Sequence, residues 1–306
     1  MLSADVDRYI ALRRTLGCKL EKAERHLHAY ARFAAERDEI HIATATALDW
    51  VEVATSTPSA KAVRWTHLVH FARFLHAEDP RHEIPPASLF RDRRHRPVPY
   101  IYSPDEIARI LDAAGELRRQ RPNPLRRELY VTLFGLIAAT GLRISEAIAL
   151  RLDDVRPDGV LRIRDTKFRK SRLVPLHPSV VVALERYLEG RRRLAGNSDH
   201  LFPSVQGRAL AKTTIYYTFR CLLRTAGIAE GRAGRPRVHD LRHTFATRAL
   251  ECCGVDRDAV ARHFVALSTY LGHADVRLTY WYLEATPELM TDIAATVEAS
   301  VGSGIE

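Results

Sequence analysis

Between residues 79 and 99 the chain is broken repeatedly by proline: Asp79-Pro80, Ile84-Pro85-Pro86 and Pro97-Val98-Pro99. Proline lacks an N–H and its ring clashes with the preceding turn, so neither a helix nor a central strand can pass through this stretch. The chain therefore has to fold as two parts joined here. Inside the break lies Arg91-Asp92-Arg93-Arg94-His95-Arg96. The flanking prolines keep that run extended, and it reads equally as a basic strap for an anionic partner or as a solvated connector. We place a helical domain at 1–90, a basic linker at 91–102, a second domain at 103–299 and a disordered tail at 300–306.

The first part carries helical spacing only. Tyr9, Leu12, Leu16 and Leu20 recur at i, i+3/i+4, as do Leu27, Tyr30 and Phe33. Trp50-Val51 marks another helix, and Trp65, Leu68, Phe71, Phe74 and Leu75 a further one. The expectation is a small bundle of about four helices. Arg13, Arg14, Lys19, Lys22 and Arg25 are interleaved with the apolar stripe, as on an ordinary solvated face.

The second part opens at Ser103-Pro104-Asp105-Glu106. Serine at N-cap, proline at N1 and glutamate at N3 form a capping box. Leu129 to Ala139 reads as an apolar helix ending at Gly141. Residues 160–164 and 172–176 read as two short strands around a basic turn. Residues 180–188 are helical, and helices continue to a last one from Thr286-Pro287-Glu288, with Leu289, Ile293 and Val297 on one face. No internal repeat occurs. The fold class is mainly α, with a small β-sheet in a mixed α+β second domain.

Of the 306 residues, 47 are Lys or Arg against 37 Asp or Glu, a formal charge of +10. That sign favours a polyanionic partner, although a solvated basic surface accounts for it equally. Four cysteines, two of them adjacent, build neither a disulfide framework nor a CxxC site, which fits a reducing cytoplasm. No apolar run is long enough for a bilayer, and no signal-peptide pattern opens the chain. A cytoplasmic protein without membrane contact is expected.

Four pieces of the second part carry chemistry. Arg143 follows Gly141-Leu142 where one helix stops and another starts, an anion-site position that a plain surface arginine could also occupy. His239 and Arg242 stand at i and i+3, so they share a helix face. Leu241, Phe245 and Ala249 form a separate apolar stripe, which leaves that pair free to stay out of the core. Lys167 lies in the basic turn Thr166-Lys167-Phe168-Arg169-Lys170-Ser171-Arg172, where Arg169 and Lys170 compete with it. His273 follows Gly272, and Tyr282 comes nine residues later, beside Tyr280 and Trp281, which suit core packing. Guanidiniums grip phosphate oxygens as a fork, imidazoles move protons near neutral pH, and a tyrosine hydroxyl can attack phosphorus.

In the order Arg143, His239-Asp240-Leu241-Arg242, Leu271-Gly272-His273 and Tyr282, the chain resembles the tyrosine recombinases, the phage integrase family. The resemblance covers nearly everything after residue 100, and the helical first part is similar to the family's SAM-like core-binding domain. It implies a catalytic domain of the DNA breaking-rejoining type. Arg143 and Arg242 would bind phosphate, Lys167 would be the general acid, and His239 and His273 the active-site histidines, with His239 accepting the nucleophile's proton. Tyr282 would attack DNA, leaving a 3′-phosphotyrosyl bond and a 5′-hydroxyl. Neither metal nor nucleotide cofactor is implied, because the ester keeps the bond energy.

The implied partners are double-stranded DNA and other recombinase protomers, in a homo- or hetero-tetramer on synapsed DNA, within the cytoplasm and nucleoid. Ala11 to Gly17 and Thr279 to Met290 look similar to transposon-encoded members, which points to mobility of a transposon or integrative element. Cys252 to Leu267 is longer than in compact chromosome-dimer-resolving members. The rival readings are a type IB topoisomerase-like enzyme, which would act as a monomer, and a resolver of chromosome or plasmid dimers.

Overall fold

The computed structural model describes residues 2–18, 20–55, 57–90, 98–118, 124–164, 171–194, 198–228, 236–252, 257–272 and 279. The chain divides into two compact units, Met1–Arg96 and Pro97–Glu306. The first unit holds α1 (Leu2–Thr15), α2 (Glu21–Ala35), α3 (Thr44–Ala54) and α4 (Pro58–His76). Leu27, Tyr30, Trp50, Val51, Trp65, Leu68 and Phe71 are buried between them. The rings interlock: Tyr9 meets Phe71 at 5.4 Å and Phe74 at 5.2 Å, and Tyr30 meets Trp50 edge-on at 5.5 Å. The Trp65 indole N–H donates to the Pro86 carbonyl at 2.8 Å, and its ring meets Phe90 at 5.1 Å. The proline-broken segment up to residue 90 thus packs back on α4.

One expected stripe is corrected. Leu12 and Leu16 are 47% and 70% exposed, and the inward row of α1 is Leu2, Val6, Tyr9 and Ile10. The helix stops at Thr15, Gly17 turns the chain at φ +84, and Leu20 takes a left-handed conformation ahead of α2. Spacing counted across that turn does not trace one face of one helix.

The second unit holds α5 (Pro104–Gly115), α6 (Arg126–Thr140), α7 (Ile144–Ala149), β1 (Val160–Ile163), β2 (Arg172–Pro175), α8 (Pro178–Leu194), α9 (Lys212–Thr225), α10 (Val238–Glu251) and α11 (Arg257–Leu271). The capping box forms as expected: the Glu106 N–H donates to Ser103 Oγ at 3.1 Å, and the Ser103 N–H donates to Glu106 Oε2 at 2.9 Å. Strands β1 and β2 pair antiparallel, from Val160↔Pro175 to Ile163↔Arg172. α6 runs through the core, burying Leu129, Leu133, Phe134, Leu136 and Ile137. Ala246 and Leu250 of α10 meet Phe264, Leu267 and Leu271 of α11 in a separate apolar cluster. The mainly α class with one small sheet stands.

Among the described residues, no helix is long and apolar enough to cross a membrane. Cys18, Cys221 and Cys252 are free thiols. The basic run 91–97, Lys167, His273, Tyr282, the last helix and the tail lie outside the described residues.

Candidate active site

The site is assembled at the C-terminal end of α11. A helix ends with carbonyls that lack an internal partner and with a partial negative charge, so cations settle there. Here three arginines from distant parts of the chain do so. Arg242 on α10 sends Nη2 to the Leu271 carbonyl at 2.8 Å and Nη1 to the Gly141 carbonyl at 2.7 Å. Arg143, just ahead of α7, donates from Nη1 to the same Leu271 carbonyl at 3.3 Å and from Nη2 to the Gly272 carbonyl at 3.2 Å. Arg172, the first residue of β2, donates from Nε to the Tyr270 carbonyl at 2.7 Å. The two arginines singled out in the sequence, 99 residues apart, therefore share one acceptor.

Of the pair that the sequence left free to stay out of the core, His239 is exposed but Arg242 is only 1% exposed. Nine residues of α10, Leu241 and Arg242 among them, are buried, so this helix has no solvent face wide enough to match its polar residues. The cost of burying a guanidinium is offset by charge-assisted bonds to carbonyls at a helix end.

Gly141 makes this approach possible. It caps α6 at φ +61, where a Cβ would lie 2.5 Å from the Phe245 ring and 3.0 Å from Leu271 Cδ2. Only glycine combines that backbone conformation with such close packing.

Arg143 is 29% exposed on its side chain. Its side-chain bonds to Glu146 and to the Leu271 and Gly272 carbonyls leave Nε–H and one Nη2–H without a described partner, which suits it to grip a ligand oxygen. Glu146 anchors it, accepting from Arg143 Nη1 at 2.8 Å and from the Arg143 backbone N–H at 3.0 Å. The same carboxylate is forked by Arg172, Nη1 at 3.1 Å and Nη2 at 2.8 Å. Burial pushes the Glu146 pKa up, but the Arg172 fork and Arg143 outweigh it and hold the carboxyl at about 2. Within this knot two guanidiniums share the one carboxylate and Arg242 adds a third positive charge, so the pocket keeps a positive field.

His239 stands in the first turn of α10, its ring 4.7 Å from that of His243. The residue is exposed, yet enough protein surrounds the ring to disfavour its charged form. That crowding, followed by the charges of Arg242, Arg237 and Arg143, lowers its pKa to about 4. At neutral pH the imidazole is uncharged and able to accept a proton. The backbone turn into α10 is clamped by Asp240, fully buried, which accepts from the Arg237 N–H at 2.8 Å and from Arg237 Nη2 at 2.9 Å.

Two members of the knot went unnoticed in the sequence. Glu146 stands three residues after Arg143, a visible N3 capping position. Arg172 closes a run of basic residues, and composition alone does not separate it from Arg169 or Lys170.

One other cluster of metal-ligating type occurs among the described residues. His41, Asp79 and His82 in the first unit bring their donor atoms within 4.8 Å of one another. His82 Nδ1 accepts from the Ile42 N–H at 3.1 Å, so the neutral ring keeps its proton on Nε2. Asp79 is gripped by Arg81 through Nε at 3.0 Å and Nη2 at 2.8 Å. The cluster ties the chain after α2 to the chain after α4.

The pattern of the phage integrase family matches residues 101–288. The chain belongs to the phage integrase family. Its chemistry is that of the tyrosine recombinases, site-specific breakage and rejoining of DNA. This family member is 42% identical over 300 residues to the integrase/recombinase y4rB of Sinorhizobium fredii, covering 96% of each chain. It is 31% identical over 275 residues to the tyrosine recombinase XerD of Brucella abortus, covering 88% of this chain and 85% of that one. Among solved structures, the Tn1549 transposon integrase in complex with circular intermediate DNA is similar at a TM-score of 0.66 and 17% identity, over 96% of this chain and 98% of that one. A lambda integrase tetramer bound to a Holliday junction is similar at a TM-score of 0.64 and 17% identity, over 92% of this chain and 76% of that one. These last two likenesses show the fold.

Proposed function

We propose that this family member recombines the ends of a mobile element, with Arg143, Lys167, His239, Arg242, His273 and Tyr282 as its catalytic set. The observation that carries the reading is the convergence of Arg143 and Arg242 on the Leu271 carbonyl, with a neutral His239 in their field. In the proposed step the Tyr282 hydroxyl attacks a DNA phosphorus and gives its proton to His239. The P–O5′ bond breaks, and Lys167 protonates the departing oxygen. The guanidiniums stabilise the phosphorane, where one preorganised donor is worth about 3 kcal/mol. The free 5′-hydroxyl of a partner strand reverses the step, so no ATP is consumed. The helical unit 1–90 would act as the core-binding domain and the run 91–102 as its basic linker. A tetramer on synapsed DNA would be the working assembly. The higher identity to an integrase/recombinase than to XerD favours element mobility over dimer resolution.

The test is covalent capture. A nicked duplex selected from a randomised pool by wild-type protein should trap a covalent adduct. The Tyr282→Phe variant should bind that duplex and form none, because the hydroxyl is the nucleophile. An adduct that survives Tyr282→Phe and is lost in Tyr280→Phe moves the nucleophile to Tyr280. Lys167→Ala should cleave ordinary DNA slowly and be rescued by a 5′-bridging phosphorothiolate, whose sulfur leaves without a proton. Absence of rescue would make Lys167 a phosphate contact.

A further inference from the structure

Arg172 is the one arginine of the knot to which the catalytic reading gives no part. It is the first residue of β2, paired with Ile163 across the hairpin, and its side chain is 11% exposed. Two other elements, α7 and the end of α11, meet on its guanidinium through three residues. Nη1 and Nη2 take both oxygens of Glu146 at 3.1 and 2.8 Å, and Nε holds the Tyr270 carbonyl at 2.7 Å. The third contact is with Gly272, at φ +66, where a Cβ would lie 2.7 Å from Arg172 Nη1. The guanidinium thus fills the space that a side chain at 272 would take.

Glu146 is what links Arg172 to the proposed chemistry. Its Oε1 is shared between Arg172 Nη1 and Arg143 Nη1, and its Oε2 between Arg172 Nη2 and the Arg143 backbone N–H. While the Arg172 fork holds both oxygens, Arg143 can give the carboxylate one Nη1–H and keep the rest of its fork for other acceptors. Without Arg172, the buried carboxylate would have Arg143 as its remaining cation among these partners. It would draw that guanidinium in and cancel its charge.

We propose that Arg172 is a positioning residue for DNA cleavage: it occupies Glu146 so that the Arg143 fork stays available to the scissile phosphate, and it fixes the helix end that leads into residue 273. This rests on the reading of Arg143 as a phosphate-binding residue. Arg172 touches no reacting atom in this scheme. A lysine in its place supplies a point charge and cannot span Glu146 and the Tyr270 carbonyl together.

The experiment uses the full chain and the nicked duplex captured by wild-type protein, with single-turnover cleavage and duplex affinity measured separately. Arg172→Ala should slow cleavage by about tenfold to a hundredfold, as misplaced catalytic groups do, with affinity nearly unchanged. Adding Glu146→Gln to Arg172→Ala should recover part of the lost rate, because a neutral amide no longer draws in the Arg143 charge. Arg172→Lys should cleave at an intermediate rate. It also serves as the variant to read if Arg172→Ala does not fold by circular dichroism.

Cleavage at the wild-type rate by folded Arg172→Ala or Arg172→Lys overturns the proposal. A double variant slower than Arg172→Ala also overturns it, leaving Glu146 and Arg172 as plain structural partners. Loss of affinity matching the loss of rate would make Arg172 a phosphate contact instead. Failure of wild-type protein to capture any duplex would sink the functional reading itself, which separates the two outcomes.

Discussion

The two units of this chain are held together by different physics. The first is stitched by rings and aliphatic chains: Phe71, Tyr30, Leu27, Trp65 and Leu68 are buried, and the described ion pairs of this unit, such as Arg14–Glu24 at 2.6 Å, lie at the surface. The interior of the second is crossed by guanidiniums. Arg242 is buried against two carbonyls, Arg172 against Glu146, and Arg191 against the His200 carbonyl, with Nη2 at 2.6 Å and Nε at 3.2 Å. Apolar packing is non-directional and tolerates small shifts. Charge-assisted bonds to carbonyls fix orientation as well as distance. The unit that must hold catalytic groups in register uses the directional kind.

The contrast can be broken most directly at Phe71. Phe71→Ala should cost about 3–5 kcal/mol of stability, as large cavities do, with little dependence on salt. Urea unfolding followed by tryptophan fluorescence reads the first unit well, since Trp50 and Trp65 both lie there. A loss under ~1 kcal/mol would mean that this core relaxes around the cavity, which well-packed interiors rarely do.

Arg242→Ala comes next, at about 3 kcal/mol, because two buried carbonyls each lose a charged donor worth roughly 1.5 kcal/mol. It should also abolish covalent capture. Unchanged stability would show that water replaces the guanidinium and that the second unit does not depend on it.

Gly141→Ala should be milder. The left-handed backbone costs the alanine about 1 kcal/mol, and the Phe245 ring must also move from 2.5 Å. Cleavage should fall further than stability, since the Gly141 carbonyl positions Arg242. Equal losses would argue that Gly141 serves only the fold.

The smallest effects concern acid. In the first unit burial, followed by the charges of His67, Arg64, Arg25 and Lys22, lowers His26 from its usual 6.5 to about 4. The unfolded chain then binds more protons, so this contribution is complete above pH 6.5 and falls away as the pH drops towards 4. In the second unit Glu146, held at about 2 against its ordinary 4.5, loses its contribution as the pH drops from 4.5 towards 2. Titration should therefore loosen the first unit before the arginine knot. Hydrogen exchange resolved by peptide reads the order, and loosening of 143–150 ahead of 21–35 would reverse it.

Local punctuation made much of this architecture legible. Ser103-Pro104 and Glu106 mark the start of α5, Gly141 the end of α6, and the prolines the division of the chain. The meeting of Arg143 and Arg242, 99 residues apart, agrees with their pairing in the sequence motif order. The shared acceptor at Leu271 was not legible, because it is a backbone carbonyl and any residue carries one. Arg242's burial was hidden for a related reason: its described partners are backbone carbonyls, which no residue type marks in the sequence. Leu12 misled because it lies off the row of Leu2, Val6, Tyr9 and Ile10 that α1 turns inward, and Leu16 because it stands past the end of that helix at Thr15.

Arg242 also bears on how such a protein ages. A gene copy that no longer cuts DNA would still draw on the bonds from this arginine to the Gly141 and Leu271 carbonyls. Selection for an intact scaffold, acting on a DNA-bound but inert descendant, would preserve this arginine long after cutting has ceased. Its presence in a relative is a record of shared construction, and activity has to be judged from other positions.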